Sequence, residues 1–335
     1  MKHRMFSTLP LVLPLAAVLG AAACSSGTGE PTGTSGGTGQ TSATGTGGAG
    51  TTTGAGGSPT TGTGVAASSG GGGGDIACKG PDYADPTAPK LKVGTVSAKI
   101  VDLSGNPAPS DLSVQVCGTN ICFYSKPGSA GLFTVAGTAD GLQKPLFKFG
   151  DARAFAKLGI PVTMTGMDAM GNTSFGTVTT AALPTSGVAM AAGKAATSGD
   201  VTIAVPSGGV AVVDETFYPD PVDQQLRAVT IPVDKAAAVL ANAPAGIAQL
   251  YGVGPLETVF CPAATVTVPN ADVAKWPAGT DVEFWILGLD GASEEWAPYG
   301  AWLKISDGKV SADGKTITTS TGMPLLSTFG IRKKP

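Results

Sequence analysis

The sequence predicts an all-β protein, built as two Greek-key-like β-sandwich modules that follow a long disordered segment. From residue 90 onward, short runs of alternating apolar and polar residues are divided by Gly, Pro, Asn and Asp, which is the pattern of strands and turns. Charged residues make up only 13% of the chain, and it holds 50 glycines and 25 prolines, which is unlike a long-helix or coiled-coil composition. Two facing sheets would bury the apolar faces of such strands.

Residues 1–23 predict a secretory signal peptide. Lys2 and Arg4 precede the apolar stretch 9–19, which Pro10 and Pro14 interrupt. A membrane-spanning helix needs about 20 consecutive apolar residues. This stretch is shorter and broken by proline, so it indicates a leader that directs export.

The leader ends in Leu19-Gly-Ala-Ala-Ala-Cys24, which resembles the lipobox of bacterial lipoproteins. The resemblance implies that Cys24 becomes the first residue of the mature chain and carries a diacylglycerol and palmitate anchor. Ser25 after the cysteine is typical of outer-membrane lipoproteins. The position that is usually leucine is Ala21 here, and the alternative is an ordinary signal peptide with an incidental cysteine.

Residues 24–75 predict a disordered tether. Positions 25–74 contain 20 Gly, 13 Thr and 7 Ser, with Glu30 as the one charged residue and no aromatic residue. Such a segment buries too little apolar area to offset the entropy of ordering it. As a glycine-rich coil it would span about 40 Å.

Four cysteines follow Cys24, and an even number in an exported chain indicates disulfides. Cys117 and Cys122 flank a Gly-Thr-Asn turn, so a hairpin would place them opposite each other. The remaining pair, Cys78 and Cys261, would then staple the start of the folded region to a distant strand. The alternative, a four-thiolate zinc site, lacks a short CxxC-type spacing, so no metal and no cofactor are predicted.

The first module, residues 76–186, is predicted to contain about seven strands. The predicted strands are Val96–Ile100, Leu112–Val116, Phe123–Tyr124, Leu132–Val135, Leu146–Phe149, Val162–Thr165 and Thr177–Thr180. The strand and turn Gly94–Pro107, with the later Gly131-Leu-Phe-Thr134, resemble carboxypeptidase regulatory-like (prealbumin-like) domains. The resemblance implies a non-catalytic sandwich, although Pro127-Gly-Ser-Ala-Gly131 replaces the usual Asp-x-x-Gly turn of that family.

The second module is predicted over residues 187–335. Its predicted strands are Asp200–Pro206, Ala228–Ile231, Ala248–Tyr251, Phe260–Pro269 and Asp281–Ile286, followed by a hairpin turn at Asp313-Gly314. An alanine-rich helix is predicted over 233–242, with Asp234 as its cap and Pro244 after its end.

The strands over residues 195–270 resemble the spectrin-binding-type β module of ankyrins. Pro206-Ser-Gly-Gly and Phe260-Cys-Pro-Ala-Ala-Thr-Val-Thr-Val-Pro269 carry the resemblance, with Gly209 where that family usually has alanine. It implies a protein-interaction or load-carrying module and brings no catalytic residues.

Composition excludes several classes of function. The single histidine, His3, lies in the leader, which removes histidine-based nucleophile systems and His-ligated zinc from the mature chain. The net charge of −3 and the pI near 5.2 lack the basic footprint of a nucleic-acid-binding protein. We therefore predict no nucleic-acid partner and no catalytic residues.

One aromatic cluster is a candidate ligand site. Trp285, Trp296, Tyr299 and Trp302 lie close together in the sequence, and on strand Asp281–Leu287 the indole of Trp285 should face away from the core. Such rings could stack on a sugar, or they could pack inside the protein. Asp290 with Glu294 or Glu295 could in principle form the carboxylate pair of a hydrolase, but this stretch reads as a solvated loop.

The sequence thus predicts a non-catalytic extracytoplasmic protein of the cell envelope. Its membrane contact would be the lipid on Cys24, and its β-sandwich modules would serve adhesion, envelope structure or the binding of a protein or polysaccharide partner. A glycan-binding module that uses Trp285, Trp296 and Tyr299 is the alternative, and a carboxylate-based hydrolase is the third hypothesis.

Overall fold

The structure, a computed structural model, describes residues 80–125, 128–137, 139–271, 274–290 and 296–335. Over these residues the protein is all-β, as predicted, with twenty strands and one 3-10 turn at Val233–Lys235. The predicted leader and tether, with Cys24 and Cys78, lie outside the described residues. Within the same ranges, no helix has the length and apolarity that crossing a bilayer requires.

Nine strands in the first half of the body form three small sheets. They are β1 (Lys90–Val93), β2 (Val96–Val101), β3 (Val114–Cys117), β4 (Cys122–Tyr124), β5 (Leu132–Val135), β6 (Ala139–Gln143), β7 (Leu146–Phe149), β8 (Leu158–Pro161) and β9 (Thr173–Thr179). The strand orders are β1-β6, β5-β2-β9 and β4-β3-β7-β8. All pairs are antiparallel except β2 with β9, which is parallel.

The core of this half lies between the three-stranded and the four-stranded sheets. On β2, Val96, Ala98 and Ile100 alternate inward and are buried, which is the period-two pattern seen in the sequence. The ring of Phe147 on β7 lies 5.3 Å from that of Phe175 on β9, so the two sheets meet through aromatic side chains. This half is therefore a two-layer sandwich.

One strand of the first half differs from the prediction. The predicted strand Val162–Thr165 is wrong, because the chain pairs with β7 four residues earlier, along β8. Leu158 and Ile160 are the buried residues of β8, and Gly159 between them leaves room for the side chains of Leu146 and Leu289. Gly-Ile-Pro161 reads locally as a turn, and tertiary packing makes it a strand.

Eleven further strands form one large sheet in the second half. They are β10 (Ala195–Ser198), β11 (Val201–Ala204), β12 (Val210–Val212), β13 (Arg227–Ile231), β14 (Ile247–Gly254), β15 (Val259–Pro269), β16 (Asp281–Leu287), β17 (Trp302–Val310), β18 (Thr316–Thr319), β19 (Met323–Leu325) and β20 (Phe329–Lys333). The main order is β10-β11-β15-β18-β17-β16-β20-β14-β13, with β12 and β19 also paired to β15. The sheet nearly closes, since Ala228 N–H on β13 donates to Ser198 Oγ on β10 at 3.1 Å.

The predicted helix over 233–242 is not an α-helix. Only Val233–Lys235 forms a 3-10 turn, and Asp234 makes no capping hydrogen bond. The residues after it form turns that bury Ala236 and Val239. An isolated ten-residue alanine-rich segment is a marginal helix, so tertiary packing decides its conformation.

The two halves do not share a sheet in the described residues, but they pack closely. The predicted boundary at 186–187 falls between β9 and β10. A side chain at Gly252 would place its Cβ 2.3 Å from that of Ala156, so only glycine allows the approach seen here. Thr328 Oγ1 also donates to the carbonyl of Lys157 at 2.8 Å. Side chains of both halves belong to one continuous hydrophobic core.

Candidate functional site

The four aromatic residues that the sequence grouped as one ligand site differ in their exposure. Tyr299 is only 4% exposed and Trp302 only 8%, whereas Trp285 and Trp296 are half-buried. The hydroxyl of Tyr299 donates to the carbonyl of Cys117 at 3.3 Å, across the junction of the two halves. Tyr299 and Trp302 therefore pack inside the protein, and this low exposure does not support their prediction as ligand-stacking residues.

Trp285 lies on the outer side of β16, as the alternation predicted. Val282, Phe284 and Ile286 are buried on the core side of the strand. The indole N–H of Trp285 donates to Glu283 Oε2 at 3.2 Å, and the guanidinium of Arg332 lies 5.0 Å from the centre of the ring. The polar edge of the indole and one face of its ring thus already have partners inside the protein.

Glu283 is the common partner of the charged side chains around Trp285. Its carboxylate accepts from Arg332 Nε at 2.6 Å and lies 3.7 Å from Lys304 Nζ. Burial acts to raise the pKa of Glu283, but hydrogen bonds from Arg332 and Trp285 and the charges of Arg332 and Lys304 outweigh it, so the pKa lies below its usual value. The group is a structural ion-pair network, ionised at neutral pH.

Asp290 lies in a different setting from the solvated loop that the sequence indicated. Its two carboxylate oxygens contact two lysines, Lys148 Nζ at 2.5 Å and Lys157 Nζ at 2.7 Å. We call these three residues the junction ion cluster, because the lysines belong to the first half and Asp290 to the second. Glu294 and Glu295, the other predicted hydrolase carboxylates, lie outside the described residues.

The charges of the junction ion cluster are set by its burial. Burial lowers the pKa of Lys148 below the usual lysine value, and the charge of Asp290 opposes this only in part. Burial acts to raise the pKa of Asp290, but the two lysines outweigh it and hold that pKa below its usual value. Asp290 is therefore a paired carboxylate, unlike the general acid of a glycosidase, whose pKa must be raised.

Lys148 was not among the predicted site residues, although the sequence carries a signal for it. Leu146-Phe-Lys-Phe149 places one lysine inside an otherwise apolar strand, and all four side chains are buried. A lysine is almost never fully buried unless it is paired. Its amine also donates to the carbonyl of Leu289 at 3.1 Å and lies 5.5 Å from the ring of Tyr299.

The cysteines are held in disulfides where the structure describes them. Cys117 and Cys122 are bonded across the β3–β4 hairpin, in the pairing that the turn predicts. Cys261 is also disulfide-bonded. Its predicted partner, Cys78, lies outside the described residues, so that pairing stays a prediction. Among the residues with described positions, no group of three His, Cys, Asp or Glu side chains could hold a metal ion.

The loop between β12 and β13 exposes large apolar side chains. In this loop, residues 213–226, Phe217 is 60% exposed and Val222 is 53% exposed. The sequence carries a signal for this loop that was not among the predicted site residues, since Asp214-Glu-Thr-Phe-Tyr-Pro-Asp-Pro combines two aromatic residues and two prolines between strands. We call it the Phe217 loop.

The backbone of the Phe217 loop is fixed from several sides. The carbonyl of Asp214 accepts from the amides of Phe217 and Tyr218, and the buried Tyr218 hydroxyl accepts from Leu256 N–H at 3.1 Å. Arg153, in the first half, donates to the carbonyl of Phe217 and stacks on the ring of Tyr218. The exposed ring of Phe217 is therefore presented by an ordered loop.

No protein-family model, curated protein or solved structure matches this chain. The two family resemblances seen in the sequence therefore stay predictions.

Proposed function

We propose that this chain is a lipid-anchored, non-catalytic protein of the cell envelope that binds a partner through the Phe217 loop. The observation that carries the proposal is the exposed phenylalanine on a loop whose backbone is already ordered. Aromatic side chains are enriched in binding surfaces, and an ordered loop loses little further entropy when it binds. Loops held by a rigid β scaffold are common binding elements.

The anchoring half of the proposal rests on the lipobox-like sequence and the tether. A lipid on Cys24 and a glycine-rich chain with a reach of about 40 Å would hold the body away from a membrane while leaving its loops accessible. The ion-paired carboxylates of Glu283 and Asp290 support a binding role over a hydrolytic one.

Replacement of the predicted lipid-carrying cysteine tests the anchor. We expect Cys24→Ser to abolish labelling with radioactive palmitate and to move the protein from the membrane fraction to the soluble extracytoplasmic fraction, because no thiol remains to accept the lipid. Labelling that persists in the variant would show that the anchor is elsewhere. Ser25→Thr is the matched control and should keep the label.

A photo-crosslinking amino acid at position 217 tests the binding surface in intact cells. We expect a discrete cross-linked product from position 217 and none from position 164, because Met164 is also strongly exposed but lies outside the Phe217 loop. Mass spectrometry of the product distinguishes a protein from a polysaccharide partner. Equal yields at both positions, or none at either, would refute the Phe217 loop as the binding surface.

A further inference from the structure

The junction ion cluster holds an amine and a carboxyl group in contact inside the protein. Lys148 Nζ lies 2.5 Å from Asp290 Oδ1, and only 4% of the Lys148 side chain is exposed. Lys148 lies on β7, which is paired on one side with β3 and on the other with β8. Its backbone is therefore held on both sides within the sheet, where its amine contacts the Asp290 carboxylate.

We propose that Lys148 and Asp290 condense to form an amide bond, an intramolecular cross-link between the two halves of the body. Two groups held in contact react as if at very high concentration, with effective molarities of about 10⁵ M or more for well-oriented pairs. The Lys148 side chain is almost fully buried and that of Asp290 is 23% exposed, so the amine is largely shielded from the water that would favour the separated ions.

The reaction balances without any other reactant. The resting pair is ionic, because Lys157 and Lys148 favour the charged form of Asp290. The reaction therefore passes through a minor neutral form, in which a proton has moved from the Lys148 ammonium to Asp290 Oδ1. The nitrogen lone pair attacks Cγ of Asp290 and forms the new C–N bond. The C–Oδ1 bond then breaks, and Oδ1 leaves as water with a second proton from the nitrogen. No oxidant, reductant or activated group is consumed.

Lys157 is placed to assist the step. Its ammonium group lies 2.7 Å from Asp290 Oδ2, the oxygen on which negative charge develops when the nitrogen attacks. A cation fixed at that position stabilises the developing charge without reorganisation. Burial also favours the neutral amine of Lys148, since it lowers the pKa of that group.

The groups around the pair could also form hydrogen bonds with the amide product. The carbonyl of Leu289 lies 3.1 Å from Lys148 Nζ and would accept from the amide N–H. Lys157 would donate to the amide oxygen in place of the carboxylate oxygen. Condensation thus replaces two buried charges, which are costly to desolvate, with one neutral group whose donor and acceptor both have partners.

A second lysine–aspartate pair in the chain is a control for the effect of contact without burial. Lys309 and Asp281 also form a lysine–aspartate pair, with an N–O distance of 3.2 Å, but both side chains are 61% exposed. Water surrounds that pair and no second lysine contacts Asp281 at that distance in the described residues. We expect no condensation there.

Peptide mapping of the reduced, alkylated full-length protein tests the proposal. Trypsin should not cleave after a condensed Lys148, so the expected product is peptide 100–153 joined to peptide 276–304, lighter by one water than their sum. Fragmentation should locate the branch at Lys148 and Asp290. Cleavage after Lys309 should proceed normally.

Two variants complete the test. Lys148→Met and Asp290→Ala should each abolish the joined product and release the partner peptide in linear form. For the unaltered protein, recovery of linear peptides 100–148 and 276–304 with no joined product would overturn the proposal. That result would leave the proposed function untouched, because the Phe217 loop and the Cys24 anchor do not depend on the cross-link.

Discussion

Asp290→Ala is expected to lower the free energy of unfolding by about 3–5 kcal/mol, because it leaves Lys148 and Lys157 without the carboxyl group that contacts them, whether or not that group is condensed with Lys148. The variant removes a carboxylate that contacts both Lys148 and Lys157, whose side chains are 4% and 16% exposed. Two buried ammonium groups would then repel each other in a region with little water. Chemical denaturation of the purified full chain, followed by far-UV circular dichroism, measures the change.

Asp281→Ala is the matched control for this prediction. It also breaks a lysine–aspartate pair, but an exposed one, and it should cost about 1 kcal/mol or less. Adding Lys148→Met to Asp290→Ala should recover part of the lost stability, because it removes one of the unpaired buried charges. Equal effects of Asp290→Ala and Asp281→Ala would show that the junction ion cluster is not a buried, stabilising contact.

Strands could be predicted from the sequence where residues that face the core alternate with residues that face away from it. β2 and β16 are examples, since Val96, Ala98 and Ile100 in one strand and Val282, Phe284 and Ile286 in the other alternate with polar residues. The alternation follows directly from the two-residue period of a strand. These strands also identified the all-β fold class.

Strands that lack alternation were not predictable in this way. β8 has the sequence Leu-Gly-Ile-Pro, which carries turn signals, and it becomes a strand because β7 and Leu289 pack against it. The helix predicted over 233–242 failed for the opposite reason, since its local alanine-rich signal was overridden by packing. In both cases tertiary contacts decided between two local preferences.

The site residues depended on contacts that local sequence does not encode. Lys148 and Asp290 are 142 positions apart, so their contact requires the relative placement of the two halves. Tyr299 read as a surface aromatic next to a charged loop, but its ring is buried and its hydroxyl reaches Cys117, 182 positions away. The hairpin disulfide Cys117–Cys122 could be predicted from the sequence because its contact is local.

Phe329→Ala is expected to cost about 3–5 kcal/mol of stability, as is typical for the truncation of a fully buried phenylalanine. Phe329 begins β20, which lies between β14 and β16 in the large sheet. Its ring stacks on Tyr251 at 4.9 Å and lies 6.3 Å from the ring of Phe284. Truncation would leave a cavity between these rings that the paired strands cannot close.

The exposed Phe217 provides the control for Phe329→Ala, with the same chemical change at the surface. Phe217→Ala should alter the free energy of unfolding by about 0.5 kcal/mol or less, since most of its ring contacts water in the folded protein. Because side chains of both halves share one core, Phe329→Ala should also shift the whole unfolding transition and not only part of it. A biphasic curve in which one phase is unchanged would show instead that the two halves unfold independently, and that their shared core and the junction ion cluster do not couple them.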